Sequence, residues 1–151
     1  MLSIGDKAPE FRLSDSNGSL VQLKDFLGKN VVLYFYPRDF TPGCTKQACS
    51  FNDTIGSIRK RNAAVLGVSA DTVESHWKFA QKHGLQFRLL SDPEKIVIKA
   101  YGVWQKKSLY GRTFMGVVRT TFVIDGNGKI LAIFPKVRVE GHADEILKSL
   151  K

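Results

Sequence analysis

The sequence predicts an α/β fold in which a central mixed β-sheet is flanked by helices, with a small β-hairpin at the N-terminus. Three observations carry that reading. Apolar, β-branched runs of five to seven residues recur along the chain. Between them lie longer stretches that carry helix start and stop signals. The last two apolar runs are joined by a Gly-rich turn, the mark of a hairpin.

Taken in order, Asn17-Gly18 suggests the turn of the N-terminal hairpin. Val31-Val32-Leu33-Tyr34-Phe35-Tyr36 is apolar throughout and ends at Pro37, as a strand buried on both faces should. A helix is predicted over about 42–61, with Thr41 as N-cap and Pro42 as first helical residue. Ala63–Ser69 is the second strand. A helix over 72–83 takes Asp71 or Thr72 as cap and stops at Gly84. Asp92-Pro93 opens a third helix over 93–101, with proline in the favoured first turn. Thr120–Ile124, the turn Asp125-Gly126-Asn127-Gly128 and Lys129–Phe134 form the closing hairpin, and a helix follows over 142–150. No repeat, low-complexity tract or long linker interrupts this pattern, so one domain over 1–151 is expected.

Composition excludes several classes of function. Hydrophobic residues make up 43% and charged residues 25%, ordinary for a globular chain. No apolar run approaches the roughly 18 residues of a membrane span. Met1–Lys7 lacks a basic segment followed by an apolar one, so no secretory signal is expected and the cytoplasm is the default address. In that compartment two cysteines are reactive thiols sooner than a structural staple. The net charge of +9 raises nucleic-acid binding, but the basic residues are scattered and their densest cluster is only Arg59-Lys60-Arg61. A solvated surface, or attraction to an acidic protein partner, explains the excess better. No nucleotide or flavin motif is present, and two cysteines with dispersed histidines make no zinc ligand set, so no cofactor or metal is expected.

The chemistry gathers in Pro37-Arg38-Asp39-Phe40-Thr41-Pro42-Gly43-Cys44-Thr45-Lys46-Gln47-Ala48-Cys49. The segment follows the first central strand at its carboxyl end, where open α/β sheets place their sites. Cys44 falls at the third position of the predicted helix. There the unpaired backbone N–H groups and the helix dipole favour a negative charge, and a thiolate is the reactive form of cysteine. Gly43 lets the backbone approach a substrate closely. Cys49 lies five residues on, about 140° around the helix from Cys44, so one apolar stripe does not bury both. Helix geometry sets their Cα atoms about 8–9 Å apart, beyond the roughly 7 Å a disulfide tolerates. If the two pair during turnover, the first helical turns must unwind.

At these residues the sequence resembles the peroxiredoxins, in particular the bacterioferritin comigratory protein or Q-type branch. The pattern is a proline, three residues, a threonine, two residues and the peroxidatic cysteine, here Pro37, Thr41 and Cys44. The likeness extends to Gly5–Phe11, Leu89–Asp92 and Gly116–Asp125. It implies a thioredoxin-like fold and reduction of hydrogen peroxide or organic hydroperoxides. By the same resemblance Cys44 attacks the peroxide, Thr41 orients it, Pro37 shields the pocket and Arg119 supplies a guanidinium to the thiolate and the departing oxygen. Gly43, Thr41, Cys44 and Arg119 form the substrate site. Cys49 closes a disulfide with Cys44 that a thioredoxin-like dithiol reduces. Since both cysteines share one helix, a monomer suffices.

Arg112 and Arg38 compete with Arg119 for the guanidinium role, but only Arg119 fits both the family motif and a strand beside the catalytic one. Gln47 stands where the family commonly has glutamate, and it can still accept a hydrogen bond from Arg119. A dithiol–disulfide oxidoreductase is the nearest alternative, yet its C-x-x-C spacing is absent. A non-enzymatic binding or chaperone protein on the same fold is the other. His76, His83 and His142 read as exposed or structural residues, and Trp77, Trp104, Tyr110 and Phe114 as packing in the core or pocket.

Overall fold

The computed structural model describes residues 1–150. Nine strands form in chain order: β1 Arg12–Asp15, β2 Leu20–Gln22, β3 Asn30–Phe35, β4 Ala63–Ser69, β5 Arg88–Ser91, β6 Trp104–Leu109, β7 Arg112–Val117, β8 Thr120–Ile124 and β9 Ile130–Phe134. The helices are α1 Pro42–Lys60, α2 Val73–His83, α3 Ile96–Ala100 and α4 His142–Ser149, with a 3-10 turn at Leu23–Phe26. None of the described helices is long and apolar enough to cross a membrane.

Seven strands make one sheet in the order β2-β1-β5-β4-β3-β8-β9. β3, β4 and β5 run parallel, while β8 pairs antiparallel with β3 and β1 antiparallel with β5. The mixed sheet and the thioredoxin-like arrangement expected from the sequence are therefore present.

Alternation along β3 divides the core between the two faces of the sheet. Leu33 and Phe35 pack with Leu66, Val68, Ile98 and Phe122. Val32 and Tyr34, on the opposite face, join Phe51, Ile55 and Ile58 of α1, Phe79 of α2 and Ile146 of α4. Gly67 is the point of closest fit: a Cβ there would lie 2.8 Å from the Tyr34 ring and 2.9 Å from Leu89.

Thr72 caps α2 by accepting from the Ser75 N–H at 3.1 Å, and Gly84 ends the helix at φ 59°. The third helix is shorter than expected, and Pro93 lies outside it. Lys95 takes a left-handed φ of 62° that breaks the segment, and helical backbone begins only at Ile96. The Asp92 carboxylate still serves the helix start, accepting from the N–H groups of Ile96 and Ile98 at 3.1 and 2.8 Å.

The β6–β7 hairpin stands apart as its own two-stranded sheet, and nothing in the hydrophobic pattern announced it. Its two-residue turn, Tyr110-Gly111, has φ of 51° and 76°, the geometry of a tight hairpin that usually carries Asn-Gly. Most of its side chains face solvent. Tyr110 and Phe114 are accordingly exposed, as is Trp77 on α2, which corrects the expectation that they pack in a core. Trp104 is half-buried beneath the Lys95 ammonium.

His142, at the start of α4, is buried between the rings of Phe51 and Phe134. Its Nδ1 lies 2.9 Å from Glu145 and its Nε2 2.9 Å from the Thr121 hydroxyl. Burial lowers its pKa, and the Glu145 carboxylate offsets this only in part. The unfolded chain therefore holds the proton more tightly than the native one. Its contribution to stability is full above the ordinary imidazole value of about 6.5 and is lost as pH falls below it. Thermal melts should show a falling midpoint on acidification through that range, and His142→Gln should flatten the slope.

Candidate active site

Strand β3 delivers the chain to Tyr36, and half-buried Pro37 ends the extended run. The backbone then turns through Phe40, at φ 65°, into the extended N-cap residue Thr41. Pro42 is the first helical residue, and the Thr45 N–H donates to the Thr41 carbonyl at 2.9 Å. Cys44 thus occupies the third helical position, as the sequence indicates. Thr41 caps with its backbone alone: its hydroxyl donates to the Arg38 carbonyl at 2.9 Å and makes no bond to the helix N–H groups.

Register brings in the guanidinium. Phe35 pairs with Thr120, so Arg119 immediately precedes the β8 residue opposite the end of β3. The Val137 N–H holds the Arg119 carbonyl at 2.8 Å. From there Arg119 Nη2 donates to Cys44 Sγ at 3.2 Å, while Nη1 donates to Gln47 Oε1. Gln47 sits three residues beyond Cys44, on the same side of α1. Gly43 makes room for the fork, because a Cβ there would come within 3.3 Å of Nη2. Cys44 is 2% exposed and Gln47 1%, so the contact is shielded from solvent and its electrostatics are stronger than at a surface. The Gln47 amide nitrogen has no hydrogen-bond partner among the described residues.

Cys49 is a free thiol on the continuous helix α1, half-buried and apart from the Arg119 fork. It opens on a groove of about 390 Å³ beside Lys46, Ser50, Asp53 and the start of α4. Burial, with the Asp53 carboxylate adding to it, pushes its pKa up. Pro37, Thr41, Gly43, Cys44 and Arg119 gather at one end of the sheet, and Cys49 lies about one and a half helical turns beyond Cys44. Arg38 is exposed, and Arg112 lies on the outlying hairpin.

Sequence reasoning missed a buried polar cluster behind this loop. Asp39, from within the motif itself, meets His76 of α2, with Nδ1 and Oδ2 2.6 Å apart. Tyr36 donates to the same carboxylate at 2.6 Å. His76 and His142 are both buried, and His83 is half-buried with its ring against Phe79. Asp39 carried a signal, a carboxylate five residues before the reactive cysteine, but nothing local pointed to a partner 37 residues away.

The AhpC/TSA family matches residues 4–133. The putative peroxiredoxin bcp of Coxiella burnetii is 46% identical over 149 residues, covering 99% of this chain and 99% of that protein. A cysteine-to-serine variant of PrxQ from Xylella fastidiosa superposes with a TM-score of 0.94 at 37% identity, covering 99% of this chain and 96% of that one. The Xanthomonas campestris bacterioferritin comigratory protein, solved in connection with its alkyl peroxide reduction activity, superposes with a TM-score of 0.88 at 38% identity, covering 93% and 89%. With a buried cysteine at the head of α1, an arginine on its sulfur and relatives matched from end to end, the chain belongs to the AhpC/TSA family, in the bacterioferritin comigratory protein or Q-type branch of the peroxiredoxins.

Proposed function

We propose that this peroxiredoxin reduces hydrogen peroxide and organic hydroperoxides at Cys44, and the single observation that carries the assignment is the Arg119 fork on the sulfur. The Cys44 thiolate attacks one peroxide oxygen in line with the O–O bond. An S–O bond forms, the O–O bond breaks, and the departing oxygen takes a proton to leave as water or an alcohol. Arg119 meets both the thiolate and the charge that develops on the leaving oxygen. A fixed, always-charged guanidinium suits that task. The Thr41 hydroxyl donates to the Arg38 carbonyl, which leaves its oxygen lone pairs free to accept from the peroxide O–H. Pro37 walls the pocket, and Gly43 leaves the space above the helix start open.

The sulfenic acid then condenses with Cys49. An S–S bond forms, water leaves, and a thioredoxin-like dithiol restores both thiols by exchange. Because Cys44 and Cys49 both belong to the continuous helix α1, the first turns must open for this step. The reaction needs no second subunit, so we assign a monomer working in the cytoplasm.

Mass spectrometry after one equivalent of peroxide tests the scheme. The expected product has lost two hydrogens and carries a Cys44–Cys49 linkage, with reduced helix content by circular dichroism. A lasting sulfenic acid or a disulfide-linked dimer would overturn the intramolecular route.

A further inference from the structure

Asp39 takes no part in the chemistry above, yet it is bonded from every side. Its Oδ1 accepts from the Tyr36 hydroxyl at 2.6 Å, and its Oδ2 accepts from Ser75 Oγ at 2.8 Å while lying 2.6 Å from His76 Nδ1. Its backbone N–H donates to Asp71 Oδ2 at 2.8 Å, and that oxygen also accepts from Ser69 Oγ at 2.6 Å. His76 is fully buried. Its Nε2 lies 3.0 Å from the Leu90 carbonyl, which can only accept, so this nitrogen carries a hydrogen. Its Nδ1 faces Asp39 Oδ2 across a short hydrogen-bond contact. The next residue, Phe40, has a left-handed φ of 65° and its ring meets Phe79 of α2 edge-on, with centroids 5.1 Å apart. A residue with a side chain keeps that backbone only where its surroundings impose it.

These bonds converge on the connection between β3 and α1, two residues before Thr41 and five before Cys44. We propose that Asp39 and His76 are positioning residues for Cys44: they clamp the β3–α1 connection to α2 and β5, and they hold it there while the first turns of α1 unwind. The proposal rests on the reading of Cys44 as attacking group and Cys49 as its disulfide partner. Two physical differences separate the clamp from the helix start. Opening the clamp would leave a buried charge without its partner, a costly state. Opening the first turn brings out one small buried side chain, Cys44, beside Pro42 and Gly43, which are exposed already. Unwinding therefore begins after Phe40, and the reduced helix re-forms against a fixed origin. Attack on an O–O bond tolerates little displacement of the sulfur, so slack in this connection reaches the rate.

The test combines amide hydrogen exchange with stopped-flow measurement of each chemical step, on wild type, His76→Leu and His76→Asn. In His76→Leu, exchange over residues 42–48 should accelerate about tenfold while β3 and β4 keep their protection. Peroxide attack should slow by about tenfold or more, and disulfide closure should not slow. His76→Asn keeps a donor for Asp39 and should recover most of the attack rate. A uniform rise in exchange across the sheet would make the pair merely structural and overturn the proposal. So would unchanged exchange at 42–48 together with unchanged attack. If His76→Leu does not fold, Ser75→Ala, which removes one bond to Asp39, decides the matter: the same pattern in smaller measure supports the clamp, and no local change overturns it. Should wild type itself fail to consume peroxide, the peroxidase reading fails, while the exchange pattern still reports on the clamp.

Discussion

Cys44→Ser reduces hydroperoxide consumption to the background rate while the protein stays folded. The exchange swaps sulfur for oxygen in a pocket where the side chain is 2% exposed and accepts one hydrogen bond, from Arg119. A hydroxyl can accept that bond, so the packing and the hydrogen bond survive. The chemistry does not, because an alcohol is essentially never ionised near neutral pH and oxygen is a poor nucleophile toward peroxide oxygen. A ferrous-oxidation or coupled dithiol assay should show no consumption, with near-wild-type thermal melting. Continued turnover carried by Cys49 would overturn the assignment of roles. The raised pKa of Cys49 argues against that outcome.

Arg119→Leu is the second large effect: peroxide attack on Cys44 should fall by about 10²- to 10³-fold, the usual loss when one donor to a developing oxyanion is removed. Leucine is apolar and of moderate size, and it deprives Cys44 Sγ and Gln47 Oε1 of their shared donor. Gln47 would then be buried with both ends of its amide unsatisfied, since its nitrogen already lacks a hydrogen-bond partner among the described residues. A moderate loss of stability should accompany the loss of rate, on the order of 1–3 kcal/mol. Arg119→Lys should fall between, because an ammonium keeps the charge but cannot span sulfur and amide as a planar fork does. Second-order rates from stopped-flow fluorescence, beside melts of the same samples, separate the two losses. A leucine variant within threefold of wild type would remove Arg119 from the mechanism.

What the sequence made legible was what local chemistry determines. Thr41-Pro42-Gly43-Cys44 specifies a helix start because each residue acts through its own backbone or its near neighbours. The Asp125–Gly128 turn does the same for the β8–β9 hairpin, where Asp125 Oδ1 accepts from Asn127 and Lys129. Arg119 was reachable because the family resemblance marks it and it precedes a strand beside β3. The Tyr110-Gly111 turn was not, since tyrosine rarely takes φ above zero and the flanking strands are mostly polar on both faces. The Pro93 start misled because Lys95 breaks the segment after it. The Asp39–His76 pair stayed hidden for a different reason. It joins elements that only the tertiary fold brings together, and neither residue has a local pattern that names the other.

Helix α1 is unevenly anchored: the large side chains of Phe51, Ile55 and Ile58 root its later turns in the core, whereas its opening turns bury only Cys44, Gln47 and the small Ala48, beside exposed Pro42, Gly43 and Lys46. That imbalance sets a race. Once Cys44 is a sulfenic acid, a second peroxide can carry it irreversibly to the sulfinic state unless the opening turns let go first. A firmer helix start would hold the sulfur longer in the pocket that makes it reactive, and would expose it longer to the oxidant it destroys. Looseness at this one place is how the catalyst outlives its own substrate.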